Sequence, residues 1–296
     1  MIPKKFDYYA PGSLQEAIQL LRQNGEAKVL AGGQSLLPLM KLRLAAPTAL
    51  VDISKLADLS YIRDEGDYLA IGALVTHDAV EHDGTIKDRF TLINDAVARI
   101  GDQQVRNLGT IGGSVCHADP AADLPTALLV ADARFVVEGR GGKRVIPARD
   151  FFVDFFATAV GHDEILTELQ VPYLPQRSGS AYVKHSLREA DFAVVSVGTI
   201  VTMEGDGKKC REARIGLGSA GPTPLRAASA EQYLKGRPVD ETAIAEAAER
   251  AIESANPPSD VHGSKEYRLK MLKVLTQRSL WLALSRTGLT GGAMER

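Results

Sequence analysis

The amino-acid sequence predicts an α+β protein with two domains. Residues 172–179 contain two prolines and one glycine and little apolar content, which indicates a linker between the domains. Beyond the linker, strand-like runs come first and helical stretches follow, an order typical of an antiparallel sheet covered by helices. The strand-like runs are residues 181–186, 193–203 and 212–217, and the helical stretches are residues 240–254 and 264 to about 286.

The part before the linker alternates short helices and strands. Ser13 and Glu16 form a predicted capping box, in which the serine accepts an early helix N–H and the glutamate accepts the N–H of the cap itself. Apolar residues at helical spacing then continue to Gly25, where this helix should end. The other predicted helices are 76–82 with Thr76 as cap, 91–100 ended by Gly101, and 126–131; the predicted strands are 28–31, 49–53, 68–73, 134–138 and 165–171, with a hairpin turn at 139–143.

Composition and charge limit the class of protein. The chain has 296 residues, 45% hydrophobic and 24% charged, with a net charge of −2, as in ordinary globular proteins. It has no long basic run, so nucleic-acid binding is not expected. It also has neither a signal-peptide pattern nor an apolar run of about 18 residues, so we expect a cytoplasmic protein without a membrane span. Its two cysteines are fewer than the roughly four thiolates of an iron–sulfur cluster, so such a cluster is expected on another chain.

Two glycine-rich segments are the strongest candidates for a binding site. The first cradle, residues 28–36, contains Gly32-Gly33 close to Ser35, and the second cradle, residues 110–114, contains Gly112-Gly113 beside Ser114. Residues without a Cβ let main-chain N–H groups approach a phosphate closely. Each segment alone is compatible with an ordinary turn. Together, two such segments on one chain predict a pyrophosphate site.

Other motifs favour less specific interpretations. Residues 216–221 match G-x-G-x-x-G, but Pro222 and Pro224 follow at once, so we expect a tight turn after a strand and not a Rossmann dinucleotide site. No P-loop pattern is present. His77, Asp78 and His82 are expected in a solvated first helical turn, and no metal site is predicted there or around His117 and Asp119. Cys116 is expected to be a small packing residue and not a nucleophile.

The cradle segments resemble those of a known family. Residues 31–38 read Ala-Gly-Gly-Gln-Ser-Leu-Leu-Pro, residues 110–114 Thr-Ile-Gly-Gly-Ser, and residues 118–125 Ala-Asp-Pro-Ala-Ala-Asp-Leu-Pro. With residues 164–169 and 182–193, these segments resemble the FAD-binding medium subunit of molybdenum hydroxylases, the carbon monoxide dehydrogenase and xanthine dehydrogenase family. The resemblance extends over nearly the whole chain.

The resemblance implies a fold and a set of cofactor-binding residues. The fold would be a vanillyl-alcohol-oxidase-like (PCMH-type) FAD-binding domain at 1–175, with subdomains 1–55 and 57–175, then a C-terminal α+β domain at 176–287 and a tail at 288–296. His117 and Asp123 would face the ribityl chain or phosphate. Leu166 and Lys184 would approach the adenine or flavin ring, the alternative for Lys184 being a solvated strand residue. The implied FAD-binding residues are Lys28, Val29, Leu30, Ala31, Gly32, Gly33, Gln34, Ser35, Leu36, Thr110, Ile111, Gly112, Gly113, Ser114, His117, Asp123, Leu166 and Lys184.

The resemblance also implies a role in electron transfer. A large subunit would hold the molybdenum cofactor, a small subunit would hold [2Fe–2S] clusters, and the FAD of this chain would pass electrons to an external acceptor, in a dimer of heterotrimers. No catalytic acid, base or nucleophile is implied on this chain. Carbon monoxide dehydrogenase is the leading specific hypothesis, although Gln34 stands where those enzymes commonly carry histidine. The alternatives are the medium subunit of an aldehyde, xanthine or N-heterocycle dehydrogenase, a stand-alone flavin oxidoreductase, and a non-redox protein whose glycines only form turns.

Overall fold

The computed structural model describes residues 2–288, and by packing the chain divides into two compact units. The first unit comprises the residues up to 80, residues 102–118 and residues 133–171. The second comprises residues 81–101, 119–132 and those from 172 onward. The units are interleaved along the chain, and the contiguous domains 1–175 and 176–287 stay a prediction. The predicted tail, apart from Gly288, lies outside the described residues.

The described elements follow the predicted α+β class. The strands are β1 (Asp7–Tyr9), β2 (Ala27–Leu30), β3 (Ala49–Asp52), β4 (Ile62–Asp64), β5 (Tyr68–Gly72), β6 (Arg134–Gly139), β7 (Gly142–Pro147), β8 (Phe152–Asp154), β9 (Ala157–Thr158), β10 (Ile165–Pro172), β11 (Ser178–His185), β12 (Val195–Met203), β13 (Cys210–Gly218) and β14 (Leu225–Arg226). The helices are α1 (Leu14–Gln23), α2 (Leu36–Lys41), α3 (His77–His82), α4 (Gly84–Arg89), α5 (Thr91–Val97), α6 (Gln103–Leu108), α7 (Ile111–His117), α8 (Asp123–Val130), α9 (Ala148–Phe151), α10 (Ala228–Leu234), α11 (Glu241–Ala251) and α12 (Lys265–Ser285), with a 3₁₀ turn at Ala57–Leu59.

The first unit contains a three-stranded parallel sheet with the order β1-β3-β2. Helix α1 packs on it through the buried residues Ala17, Ile18 and Leu21, as the apolar spacing predicts. Ser13 caps the helix by accepting the N–H of Glu16. The predicted reciprocal half of the capping box is wrong, because the Glu16 carboxylate accepts the N–H of Gly12 and not that of Ser13.

The first unit also contains a five-stranded sheet with the order β4-β5-β10-β6-β7. The predicted hairpin between β6 and β7 is confirmed, with Gly139 paired to Gly142. Phe135 of β6 packs against Phe151, with ring centroids 4.2 Å apart, and both side chains are fully buried. Strand β10 pairs antiparallel with β6 and has an irregularity between Leu166 and Glu168.

The second unit is built on an antiparallel sheet with the order β11-β12-β13-β14, which confirms the predicted strands-then-helices architecture. All nine residues of β12 are buried, because helices cover the sheet. Helix α12 packs against β11 and β12, and α8 packs against β12 and β13. Every residue of α8 is buried as well, which explains its continuous apolar sequence.

Several predicted boundaries differ from the observed ones. Helix α5 ends at Val97, three residues before the predicted end, and α8 begins at Asp123, three residues before the predicted start. Strand β11 begins at Ser178, inside the predicted linker. Helices α2, α4, α6, α7, α9 and α10 are absent from the sequence prediction, because such short helices do not show a clear apolar period. Among the described residues, no helix is long and apolar enough to cross a membrane.

Candidate functional site

Within the first unit, the first cradle packs against residues 108 and 109, immediately before the second cradle, and glycine is required at this contact. A Cβ built on Gly32 of the first cradle would lie 2.0 Å from the carbonyl oxygen of Leu108 and 2.8 Å from the Cα of Gly109. Real Cβ atoms do not approach a main-chain oxygen so closely, so only glycine lets these two segments come together. The structure therefore joins two segments that lie about 80 positions apart in the sequence.

The first cradle presents main-chain donors that have no hydrogen-bond partner in the part of the chain that the structure describes. Its glycines follow the carboxyl end of β2, the end at which open parallel sheets bind ligands. Gly33 has φ +71°, a left-handed conformation that turns the chain sharply. Among the described residues, the N–H groups of 32–35 donate no hydrogen bond, and these residues are only partly buried. Consecutive N–H groups around a left-handed residue bind anions, so this segment fits a phosphate.

The second cradle differs, because its main-chain donors are already used. The N–H of Ile111 bonds to the carbonyl of Val75 at 2.9 Å, and that of Gly112 to Ala73 at 3.0 Å. Gly113 donates to the Thr110 hydroxyl at 3.1 Å, so Thr110 is the N-cap of α7. A Cβ on Gly112 would lie 2.6 Å from the Cβ of Ala73. The glycines of this cradle therefore allow close packing within the protein. The expectation that glycine lets main-chain N–H groups approach a phosphate applies to the first cradle only.

Two further predicted residues lie on other elements of the first unit. His117 is the last residue of α7, and its ring lies 5.1 Å from that of Phe156, centroid to centroid. Leu166 lies on β10, opposite Val137 of β6, and its side chain is buried. Phe156 is itself 55% exposed, so this edge of α7 carries an aromatic pair that no sequence pattern indicated.

In the second unit the predicted residues Asp123 and Lys184 form a buried ion pair. The Lys184 Nζ lies 2.9 Å from Asp123 Oδ2 and donates a second hydrogen bond to the carbonyl of Arg99, also at 2.9 Å. The Lys184 side chain is only 3% exposed, so the alternative of a solvated strand residue is wrong. The structure thus brings together two predicted residues from α8 and β11.

Tyr182 completes this group by donating its hydroxyl to Asp123 Oδ1 at 2.8 Å. Burial raises the pKa of the Asp123 carboxyl, while the Lys184 ammonium and the Tyr182 hydroxyl act in the opposite direction. Burial, together with the Asp123 charge, also raises the pKa of Tyr182 well above its usual range. Tyr182 was missed at the sequence level, although its position two residues before Lys184 puts it on the same face of a strand.

Other sequence expectations have mixed outcomes. Residues 216–221 leave the end of β13 in a turn with no helix behind them, which confirms the tight connection. His77 is buried and not solvated as predicted, and burial, followed by the nearby charge of Arg106, lowers its pKa to about 4. The expectation that Cys116 is a packing residue is also wrong, because it is exposed on α7.

Comparison with known proteins adds independent findings. A family model described as the FAD binding domain in molybdopterin dehydrogenase matches residues 4–174, and one described as the CO dehydrogenase flavoprotein C-terminal domain matches residues 180–282. The chain is 38% identical over 296 residues to the 6-hydroxypseudooxynicotine dehydrogenase complex subunit alpha of Paenarthrobacter nicotinovorans, with 100% of both chains covered.

The carbon monoxide dehydrogenase medium chain of Hydrogenophaga pseudoflava is equally similar. It is 38% identical over 287 residues, which cover 97% of this chain and 99% of the relative. A solved structure of carbon monoxide dehydrogenase from that organism, lacking the Mo-pyranopterin moiety of its cofactor, superposes with a TM-score of 0.94 over 97% of this chain and 99% of the other.

The fold and the family match define an FAD-binding subunit of an oxidoreductase. More narrowly, the chain belongs to the FAD-binding medium subunits of molybdenum hydroxylases, the carbon monoxide dehydrogenase and xanthine dehydrogenase type. It is the flavoprotein subunit of a multi-subunit molybdenum-containing oxidoreductase. The alternatives of a stand-alone flavin enzyme and of a non-redox protein are therefore wrong.

Proposed function

We propose that this chain takes electrons from the [2Fe–2S] clusters of a small partner subunit and delivers them, through its FAD, to an external acceptor. Substrate oxidation would take place on a large molybdenum-binding subunit. The chain has only two cysteines, and Cys210 is fully buried in the core of the second unit, so it does not offer the four thiolates of a cluster. FAD supplies the redox chemistry, and this chain supplies binding, orientation and electrostatics.

The contact between the first cradle and residues 108 and 109 is the observation that supports this proposal most directly. The N–H groups of residues 32–35 would donate to the FAD pyrophosphate, and Gly33 would turn them toward it. The second cradle would fix the first through the contact between Gly32 and Leu108. The remaining residues of both cradles, with His117 and Leu166, would line the same cofactor.

Lys184 and Asp123 would act on the flavin electrostatically. A buried ammonium group favours the additional negative charge of a reduced flavin, whereas a buried carboxylate opposes it. Because the two groups lie 2.9 Å apart, their charges largely compensate each other. The pair would therefore keep the local charge near neutral while each member remains available for hydrogen bonding.

The proposed assembly is a dimer of heterotrimers that contain large, medium and small subunits. Carbon monoxide remains the leading specific substrate. The second candidate substrate class is that of the nicotine derivatives named for the relative from Paenarthrobacter nicotinovorans, because this chain matches that relative over its full length at the same identity.

The proposal is tested by co-expressing this tagged chain with the genes beside its own and purifying the resulting complex. We expect large and small subunits to co-purify with molybdenum, iron and FAD. Flavin reduction is then followed by absorbance after adding carbon monoxide or 6-hydroxypseudooxynicotine. Reduction by either one identifies the substrate class. Reduction of the isolated chain by substrate, with no metal-containing partner present, would contradict the electron-transfer role.

A matched pair of variants tests the cofactor site itself. The full chain carrying Gly32→Ala should lose most of its bound flavin, because the added methyl group separates the cradles. Gly141→Ala is the control, because a Cβ at that position meets no heavy atom within 4 Å. Equal flavin content in both variants and in the unaltered chain would refute the cradle assignment.

A further inference from the structure

The hydroxyl of Tyr182 is placed to control the charge of the Lys184–Asp123 pair. It donates a hydrogen bond to Asp123 Oδ1, while Lys184 occupies the other carboxylate oxygen, Oδ2. Tyr182 is 2% exposed and Asp123 is 4% exposed, so water does not replace either partner freely. The carboxylate therefore depends on these two donors for compensation of its burial.

Charged and titratable side chains reach this group from several elements. Helix α8 provides Asp123, and β11 provides Tyr182 and Lys184. The segment that follows α5 provides Arg99, whose carbonyl accepts from Lys184 and whose positive charge also acts on Asp123 and Tyr182.

On α5, Asp95 accepts the main-chain N–H of Tyr182, but this carboxylate is compensated by Arg286 at 2.5 Å. Strand β12 presents the uncharged Ser196 opposite Lys184. Asp123 is therefore the titratable group whose ionisation depends directly on Tyr182.

Opposing effects act on the ionisation of Asp123, and burial is the largest of them. Burial in a medium of low polarity favours the protonated carboxyl, whereas the ammonium group and the phenolic hydroxyl favour the carboxylate. Each hydrogen bond to a buried charged group offsets part of the unfavourable free energy of its burial, so removing one of them favours the protonated carboxyl. Without the Tyr182 hydroxyl, Asp123 would take up a proton at a higher pH than it does in the unaltered chain.

We propose that Tyr182 is a positioning residue for the flavin electrostatics: by donating to Asp123 it keeps the carboxylate ionised and the Lys184 charge compensated. This inference rests on the proposed placement of Lys184 beside the flavin. When Asp123 is protonated, the ammonium charge is no longer balanced, so the reduced flavin is favoured and its midpoint potential rises. Tyr182 thereby determines the pH range over which the potential is insensitive to this pair.

The test is the flavin midpoint potential measured against pH in the FAD-reconstituted full chain. Tyr182→Phe removes only the hydroxyl and should raise the potential in the pH interval between the Asp123 pKa of the unaltered chain and the higher one of the variant, with the difference vanishing on both sides of that interval. Asp123→Asn should raise the potential wherever Asp123 is ionised in the unaltered chain, and Lys184→Met should lower it. Tyr233→Phe is the matched control, because that tyrosine lies on α10 between Arg237 and Arg250. The flavin potential of this variant should equal that of the unaltered chain.

The outcomes separate this inference from the proposed function. If Lys184→Met lowers the potential while Tyr182→Phe matches the unaltered chain at all pH values, the inference is overturned and the cofactor placement stands. A constant offset in Tyr182→Phe, independent of pH, also overturns it, because a structural disturbance alone would produce that result. If Lys184→Met binds FAD with an unchanged potential, the placement of Lys184 beside the flavin fails and the inference fails with it.

Discussion

Gly32 and Leu108 are in direct main-chain contact, with the hydrogens of the Gly32 Cα facing the carbonyl oxygen of Leu108. The contact joins the loop after β2 to the end of α6, immediately before the second cradle. Gly109 also has no room for a side chain, because a Cβ there would lie 2.8 Å from the ring of His77. Because Gly32 and Gly109 both make such close approaches, adding a single methyl group at either position should disturb this site.

The first prediction follows from this contact and concerns stability. Gly32→Ala should lower the free energy of unfolding by about 1–3 kcal/mol, because main-chain atoms must move to admit the methyl group. Gly141→Ala should be neutral or slightly stabilising, since it restricts the unfolded chain without a steric conflict. Urea unfolding followed by circular dichroism measures both. A Gly32→Ala chain as stable as the control would show that the loop shifts without cost.

The second prediction concerns the cap of α7. The Thr110 side chain accepts the N–H of Gly113, and Thr110 itself is buried. Thr110→Val should lower the free energy of unfolding by about 1 kcal/mol, because it removes the acceptor and leaves that N–H without a partner. Thr110→Ser, which keeps the hydroxyl, should lower it less. The reverse order of the two variants in chemical denaturation would rule out capping as the role of Thr110.

The third prediction concerns the buried ion pair. Lys184→Met should destabilise the chain by about 3–5 kcal/mol, because the Asp123 carboxylate then remains buried without its ammonium partner. The double variant Asp123→Asn/Lys184→Met should lose less than the sum of the single variants. A double-mutant cycle measured by denaturation checks this, and strict additivity would mean that the two groups do not interact.

The pH dependence of the Lys184→Met variant has a defined sign. Asp123 has a raised pKa in the folded chain, chiefly through burial, and loss of Lys184 raises it further. The folded state then binds its proton more tightly than the unfolded state does. The stability of the variant relative to the unaltered chain should therefore fall as the pH rises above the Asp123 pKa of the unaltered folded chain, because above that pH only the variant still binds the proton. A stability difference that does not change with pH would exclude this explanation.

The fourth prediction concerns His77. Burial, followed by the charge of Arg106, lowers its pKa from 6.5 to about 4, so the unfolded chain binds a proton that the folded chain rejects. The contribution of neutral His77 to the free energy of unfolding should be fully present above pH 6.5. It should decline as the pH falls toward 4, by an amount on the order of 3 kcal/mol. The measurement is the free energy of unfolding between pH 4 and 7.

A pair of histidine variants isolates the contribution of His77. His77→Gln should flatten the pH profile, because the side chain no longer titrates. His162→Gln should leave it unchanged, since that histidine side chain is 57% exposed. Identical profiles for the two variants would assign the acid sensitivity to other groups.

Much of the architecture could be predicted from local sequence patterns. The strand-then-helix order after residue 180 predicts the antiparallel sheet of the second unit. Apolar residues that alternate in strands or recur at helical spacing indicate which faces of these elements are buried. The N-cap at Ser13 and the hairpin at residues 139–142 also depend on short-range chemistry. Helices α6 and α7 were missed because their stability comes from tertiary contacts, such as the bond from Gly112 to Ala73, and not from an apolar period.

The sequence by itself determined the fold class, the family and the identity of the two cradles, because glycines and hydroxyl residues at set spacings have strong local requirements. Only the tertiary structure decided how those residues are used. Within residues 2–288 it left the N–H groups of residues 32–35 without a hydrogen bond while engaging those of 111–114, and it paired Lys184 with Asp123 across 61 positions. Hydrogen-bond partners and burial depend on contacts distant in sequence, and those contacts exist only after the chain has folded.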